Sequence, residues 1–218
     1  MPKYSRKIIS TEALQRIEEA REKQATSLNL SFLNLTTVPS EIGRLTTLTT
    51  LDLSHNKLQN LPPEIGQLTT LISLDLRGND LTILPPEIGN LADLAELKLD
   101  TNELQTLPAR IGELGALAEL SLLNNKLATL PPEIGNLTVL TSLDLRGNNL
   151  TTLPPEIGKL KDLNCLLLED NQLTALPPEI GELTALPPEI GKLAVLTSLG
   201  LYSNHLATLP PEIGKPRL

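Results

Sequence analysis

The sequence predicts an α/β chain wound as a right-handed solenoid. The expected shape is a horseshoe with a parallel sheet on its concave side, short 3-10 or helical segments on its convex side, and a helix closing the N-terminal end. Three observations carry this. Asn56, Asn79, Asn102, Asn125, Asn148 and Asn171 recur every 23 residues inside the frame L-x-x-L-x-L-x-x-N-x-L, and Asn204 follows after 33. Each frame runs on into L-P-P-E-I-G-x-L or a close variant. Hydrophobic residues make up 40% of the chain but aromatics only 1%, so the core must be leucine stacked on leucine and not an aromatic-centred globule.

The first element is the closing helix. Ala13, Leu14, Ile17 and Ala20 form an apolar stripe at helical spacing, with Ser10 as N-cap and Ile9 placed to staple against Leu14, which predicts a helix over 10–24. Glu12 with Arg16, and Glu19 with Lys23, stand four apart on its wet side. A membrane-surface helix is the sharper reading of this segment; its shortness and nearly balanced charge argue against that reading. An incomplete first repeat follows, with Leu28, Leu30 and Leu35 in frame and Leu33 where the asparagine belongs. An apolar residue there suits a terminal unit lying beneath the helix.

Within a full repeat each part has a physical reason. In Leu71 to Leu91, the L-x-L core alternates with period two, so Leu74 and Leu76 face inward while Asp75 and Arg77 face water. Asn79 ends the strand, and its amide can satisfy turn backbone that would otherwise be buried unpaired. Pro85 and Pro86 forbid strand continuation, and proline followed by Glu87 suits the start of one helical turn. Gly89 is expected to let that turn stop. One such unit cannot bury its own leucines, so neighbours must stack, giving eight strands from Leu28 to Leu201 and a solenoid over 26–214 between the 1–25 cap and a 215–218 tail.

The 33-residue interval has a visible origin. LTALPPEIGE at 173–182 is followed at once by LTALPPEIGK at 183–192, with no strand between them. Because the next repeat returns to frame, a convex bulge at about 182–193 with a continuous sheet is expected. A binding loop is the functional reading of this duplication, and a recombination scar is the plainer one. After Gly214 only KPRL remains, so the last leucine edge is expected to be uncapped, open either to further protein or to self-association.

These units resemble the 23-residue leucine-rich repeats with L-P-x-x-I-G-x-L found in scribble-type LAP proteins, Ras-suppressor proteins and the repeat domains of bacterial Roco proteins. The entry segment EALQRIEEAREKQATSLNLSFLNLTTVPSEIGRL is most similar to the start of a Roco repeat domain. The resemblance covers nearly the whole chain and implies a scaffold for protein contacts. It also implies the alternative of a spacer or repeat-domain fragment of a larger signalling protein. The phosphate-binding loop of a Roco GTPase, G-x-x-x-x-G-K-[ST], is absent from this sequence.

Composition narrows the function classes. A net charge of -8 repels nucleic acid and anionic membranes. The N-terminus lacks the apolar run of a secretory signal, and the one cysteine, Cys165, cannot form an internal disulfide, so a cytoplasmic, reducing location is expected. His55 and His205 stand several repeats apart and cannot share a proton or a ligand. Neither lies beside Cys165 to activate it. The convex glutamates from Glu41 to Glu212, with Arg110 the exception, project in file and do not converge as calcium ligands must. No enzyme, metal or cofactor is expected.

The concave positions vary. The outward residue of each L-x-L reads Asn29, Asp52, Asp75, Lys98, Ser121, Asp144, Leu167 and Gly200; two places later stand Ser31, Ser54, Arg77, Asp100, Leu123, Arg146, Glu169 and Tyr202. Arg77 with Asp100, and Arg146 with Glu169, are expected to pair between neighbouring strands. Leu123, Leu167 and Tyr202 beside arginine have the composition of an interface hot spot. The expected contact surface for a protein or peptide is therefore Arg77, Asp100, Leu123, Arg146, Leu167, Glu169 and Tyr202.

Overall fold

A computed structural model describes residues 3–184 and 196–211. Eight three-residue strands form one parallel sheet in chain order: β1 (Ser27–Asn29), β2 (Thr50–Asp52), β3 (Ser73–Asp75), β4 (Glu96–Lys98), β5 (Glu119–Ser121), β6 (Ser142–Asp144), β7 (Cys165–Leu167) and β8 (Ser198–Gly200). Each begins one residue before the L-x-L core. Pairing continues past the strand end, since Leu76 N donates to Lys98 O at 2.8 Å and Gly78 N to Asp100 O at 2.9 Å. The register never slips: Leu51, Leu74, Leu97, Leu120 and Leu143 align from strand to strand. A slip of one residue would turn these leucines out to water, so burial fixes the register.

The interior is the predicted leucine stack. Leu71, Leu74, Leu76, Leu81, Ile88 and Leu91 are fully buried, and their equivalents in the neighbouring repeats match them. Removing one such side chain from water stabilises the fold by about 1.5–3 kcal/mol. Inside the turn each asparagine bridges two repeats. Asn102 Nδ2 donates to Leu76 O and Leu99 O, each at 3.0 Å, while its Oδ1 accepts from Leu81 N at 3.0 Å. Asn56, with no asparagine beneath it, accepts from both Leu33 N and Leu35 N.

On the convex side the L-P-P-E-I-G segments form single 3-10 turns such as Pro86–Asn90, with Pro85 extended at its head and Ile88 N bonded to Pro85 O. The expected role of Gly89 needs correction. It lies inside the turn, which closes through the backbone N–H of Leu91, and a Cβ on Gly89 would stand 2.5 Å from Arg110 O of the next repeat. The glycine is a spacer that lets convex turns stack, not a terminator.

The closing helix α1 spans Lys3–Glu22 and packs on β1 and the first 3-10 turn. It starts earlier than expected, so Ser10 is interior and not the N-cap. No proline or glycine stands between Lys3 and Ser10 to stop it. The Ile9 side chain lies outside the described residues. Ala13, Ile17 and Ala20 are buried, and the Glu12–Arg16 and Glu19–Lys23 pairs form at 2.6 and 3.6 Å.

The sheet is unbroken across the 33-residue interval. β7 pairs with β8 in register, Leu166 opposite Leu199, and Asn204 joins the ladder through Leu168 O, Leu201 O and Leu173 N. The 3-10 turn Pro178–Thr184 begins in the first copy of the duplicated segment and runs into the first two residues of the second. Leu196 N bonds Leu183 O, as Leu163 N bonds Leu160 O one repeat earlier. The expected bulge falls largely on 185–195, outside the described residues, as does the tail.

Candidate partner-binding face

Strand alternation sends three side chains per repeat to the concave surface: the first and third residues of the strand and the residue two beyond. Where the third residue is aspartate, its carboxylate holds the turn of its own strand. Asp52 Oδ1 accepts from Ser54 N and Oγ; Asp75 and Asp144 accept from the backbone N of Arg77 and Arg146 at 3.1 Å. In β5 that position is Ser121, and Asp100 of the neighbouring strand takes over, accepting from Ser121 Oγ and from Leu123 N at 3.1 Å.

The expected cross-strand arginine pairs do not form. Arg77 binds Asp75, and Arg146 binds Asp144, each through Nε and with an NH2–Oδ2 distance of 2.6 Å. Residues two apart on a strand share a face, and the aspartate is already fixed by its backbone bond, so the guanidinium folds back onto it. Burial pushes the Asp75 carboxyl up, but the hydrogen bonds and charge of Arg77 outweigh burial and hold it below the ordinary carboxylate value. The same hydrogen bond raises Arg146.

Of the expected contact residues, Asp100 and Leu167 come together in one depression of about 240 Å³ over β4 to β7, lined also by Glu96, Lys98, Glu119, Ser121 and Asp144. Arg77, Leu123, Arg146, Glu169 and Tyr202 stand outside that lining. Leu123 and Leu167 are half-buried, whereas Tyr202 is 68% exposed, and its hydroxyl donates to Asp170 Oδ2 at 3.3 Å. Glu169 lies over Gly200, where a Cβ would collide with its carboxylate, and its Oε2 is buried without a hydrogen-bond partner among the described residues.

Two features escaped the sequence reading. Glu96 and Glu119 occupy the first strand position, which reads Ser27, Thr50, Ser73, Glu96, Glu119, Ser142, Cys165 and Ser198; the change from hydroxyl to carboxylate at two neighbouring repeats was the available signal. The other is Phe32, 69% exposed and stacked on His55 with centroids 4.4 Å apart. Both rings sit on left-handed backbone, φ 58° and 54°, at the turn position that Gly78 and Gly147 fill elsewhere.

Cys165 is a free, half-buried thiol at the start of β7. Among the described residues no group of three or more histidine, cysteine or acidic side chains could hold a metal ion, and no helix is long and apolar enough to cross a membrane.

Comparison with known proteins bears on this geometry. A family model described as "leucine-rich repeat region" matches residues 24–126 and 110–188. A solved leucine-rich-repeat protein of Leptospira interrogans is 43% identical, with a TM-score of 0.81, over 90% of this chain and 48% of its own. A plant peptide hormone receptor solved in complex with RGF2 is 30% identical, with a TM-score of 0.65, over 83% of this chain and 36% of the receptor chain. The chain thus spans about half the length of the first of these proteins and less of the second. No curated protein sequence matches it.

Proposed function

This chain belongs to the leucine-rich-repeat family, and from that premise we propose that it is a non-catalytic scaffold that binds a protein or peptide on its concave face. The observation that carries the reading is an eight-stranded face on which no other described element packs beyond β1, and whose outward residues differ from repeat to repeat while the inward ones do not. Interior positions answer to packing, whereas the opposite face of the same strands is released from that demand and can be matched to a partner. The plant receptor solved with RGF2 supports a peptide-sized ligand for this architecture. Arg77, Asp100, Leu123, Arg146, Leu167, Glu169 and Tyr202 are the proposed contact residues, and the setting is a reducing, cytoplasmic one.

The test is capture of partners by the parent chain and by Leu167→Ala and Tyr202→Ala. Each truncation should weaken a concave-face partner by about 1–2 kcal/mol, roughly five- to thirtyfold. Retention of every partner by both variants, with loss on a convex substitution such as Glu87→Lys, overturns the reading.

A further inference from the structure

The concave face has a charge pattern that selects one chemistry of partner. Its three cations are already committed: Arg77, Lys98 and Arg146 each lie 2.6 Å from a carboxylate two residues earlier on the same strand. Four carboxylates on that face, Asp52, Asp100, Glu119 and Glu169, make no ion pair among the described residues. Two of them, Asp100 and Glu119, line the depression over β4 to β7, where Leu167 supplies an apolar wall. Asp100 is fixed in place by Ser121 Oγ and Leu123 N, so its position does not depend on a ligand.

We infer that this stretch of sheet from β4 to β7, which no other described element covers, docks an extended, cationic protein segment, with lysine or arginine side chains against Asp100 and Glu119 and a small apolar residue against Leu167. The inference rests on the concave-face reading above and adds the chemistry of the partner. Like charges gathered on a concave floor focus their field into the depression, so cations are drawn in and carboxylate-rich segments are turned away. The paired Glu96–Lys98 and Asp144–Arg146 add no net charge, and although Arg77 and Arg146 are close enough to Asp100 to interact with it, no described cation stands in ion-pair contact with Asp100 or Glu119. Apolar contact at Leu167 then favours a protein segment over a simple counterion cloud.

The experiment uses the full chain and a capped decapeptide of five Lys-Ala pairs, with a Glu-Ala counterpart, followed by amide chemical shifts and fluorescence anisotropy. Because any cationic peptide is attracted to a chain of net charge -8, the comparison is between two variants that remove the same charge. Asp100→Asn/Glu119→Gln alters the depression and keeps the side-chain shapes; Glu64→Gln/Glu87→Gln alters the convex row. The Lys-Ala peptide should shift amides of β4 to β7, and the concave variant should bind it about five- to tenfold more weakly, while the convex variant changes affinity by less than about twofold. Equal loss in both variants overturns the inference, since attraction is then global. If the Glu-Ala peptide shifts the β4 to β7 amides and the Lys-Ala peptide does not, the cationic partner falls and the concave-face reading stands. If the Lys-Ala peptide shifts only convex amides, both fall.

Discussion

The two faces of each strand obey different rules. In β6 and β7 the inward residues Leu143 and Leu166 are both fully buried and directly opposite in register, while their outward neighbours in the same pairing are Asp144 and Leu167. Asn148 and Asn171 make the same bonds one repeat apart, to Leu122 O and Leu145 O and to Leu145 O and Leu168 O. The concave carboxylates change partner from strand to strand. Inside, a missing bond or methyl group has no water to replace it, so one solution repeats; outside, water supplies an alternative, and sequence is free to serve a ligand.

That contrast is breakable by measurement. The largest effect is expected for Asn102→Leu, which takes the acceptor from Leu81 N in the buried turn and removes one of the two asparagine donors from each of Leu76 O and Leu99 O, so stability should fall by about 2–4 kcal/mol in urea unfolding. A loss under about 1 kcal/mol would mean that the ladder is ornamental. Next comes Gly135→Ala on the convex side. Its Cβ would stand 2.5 Å from Glu156 O, and forcing the turns apart should cost about 1–3 kcal/mol, read as a lowered unfolding midpoint.

Thr101→Gly should act in the opposite direction. Thr101 is β-branched at φ 56°, where Gly78 and Gly147 sit at 64°, so relieving it should raise stability by about 1 kcal/mol. No gain in the midpoint would mean that its backbone is unstrained. The smallest effect belongs to the concave face. Asp75 has a folded pKa below its unfolded one, so it contributes stability that is present above about pH 4 and lost as pH falls through the folded value. Arg77→Met should raise the Asp75 carboxyl in an NMR titration and shrink the acid-dependent loss by a few tenths of a kcal/mol. An unmoved Asp75 would show that Arg77 does not hold it.

Periodicity revealed the interior because packing demands repeat: Leu71, Asn79 and Ile88 each behave as their type and spacing required. The concave pairing was less legible, since Arg77 had two carboxylates in reach, and the choice of Asp75 over Asp100 follows from where each is held: Asp75 by the backbone of Arg77 itself, Asp100 by Ser121 and Leu123 of the next repeat. Gly89 was misread for a related reason. Its neighbour across the stack, Arg110 O, is 21 residues away and invisible to any local rule. Nor did helical spacing locate the start of α1, because the stripe marks only where the helix touches the core.

The in-register sheet also sets how the molecule responds to force. Each strand bonds only to its neighbours, so a pull on the two ends loads the repeats in series, and the terminal unit peels before the rest. Detaching one 23-residue unit releases about 80 Å of slack, whereas the interval between β7 and β8 releases about 110 Å. The irregular last spacing is thus a length marker, a single long step in a staircase of equal ones that tells an extension trace which end has begun to yield.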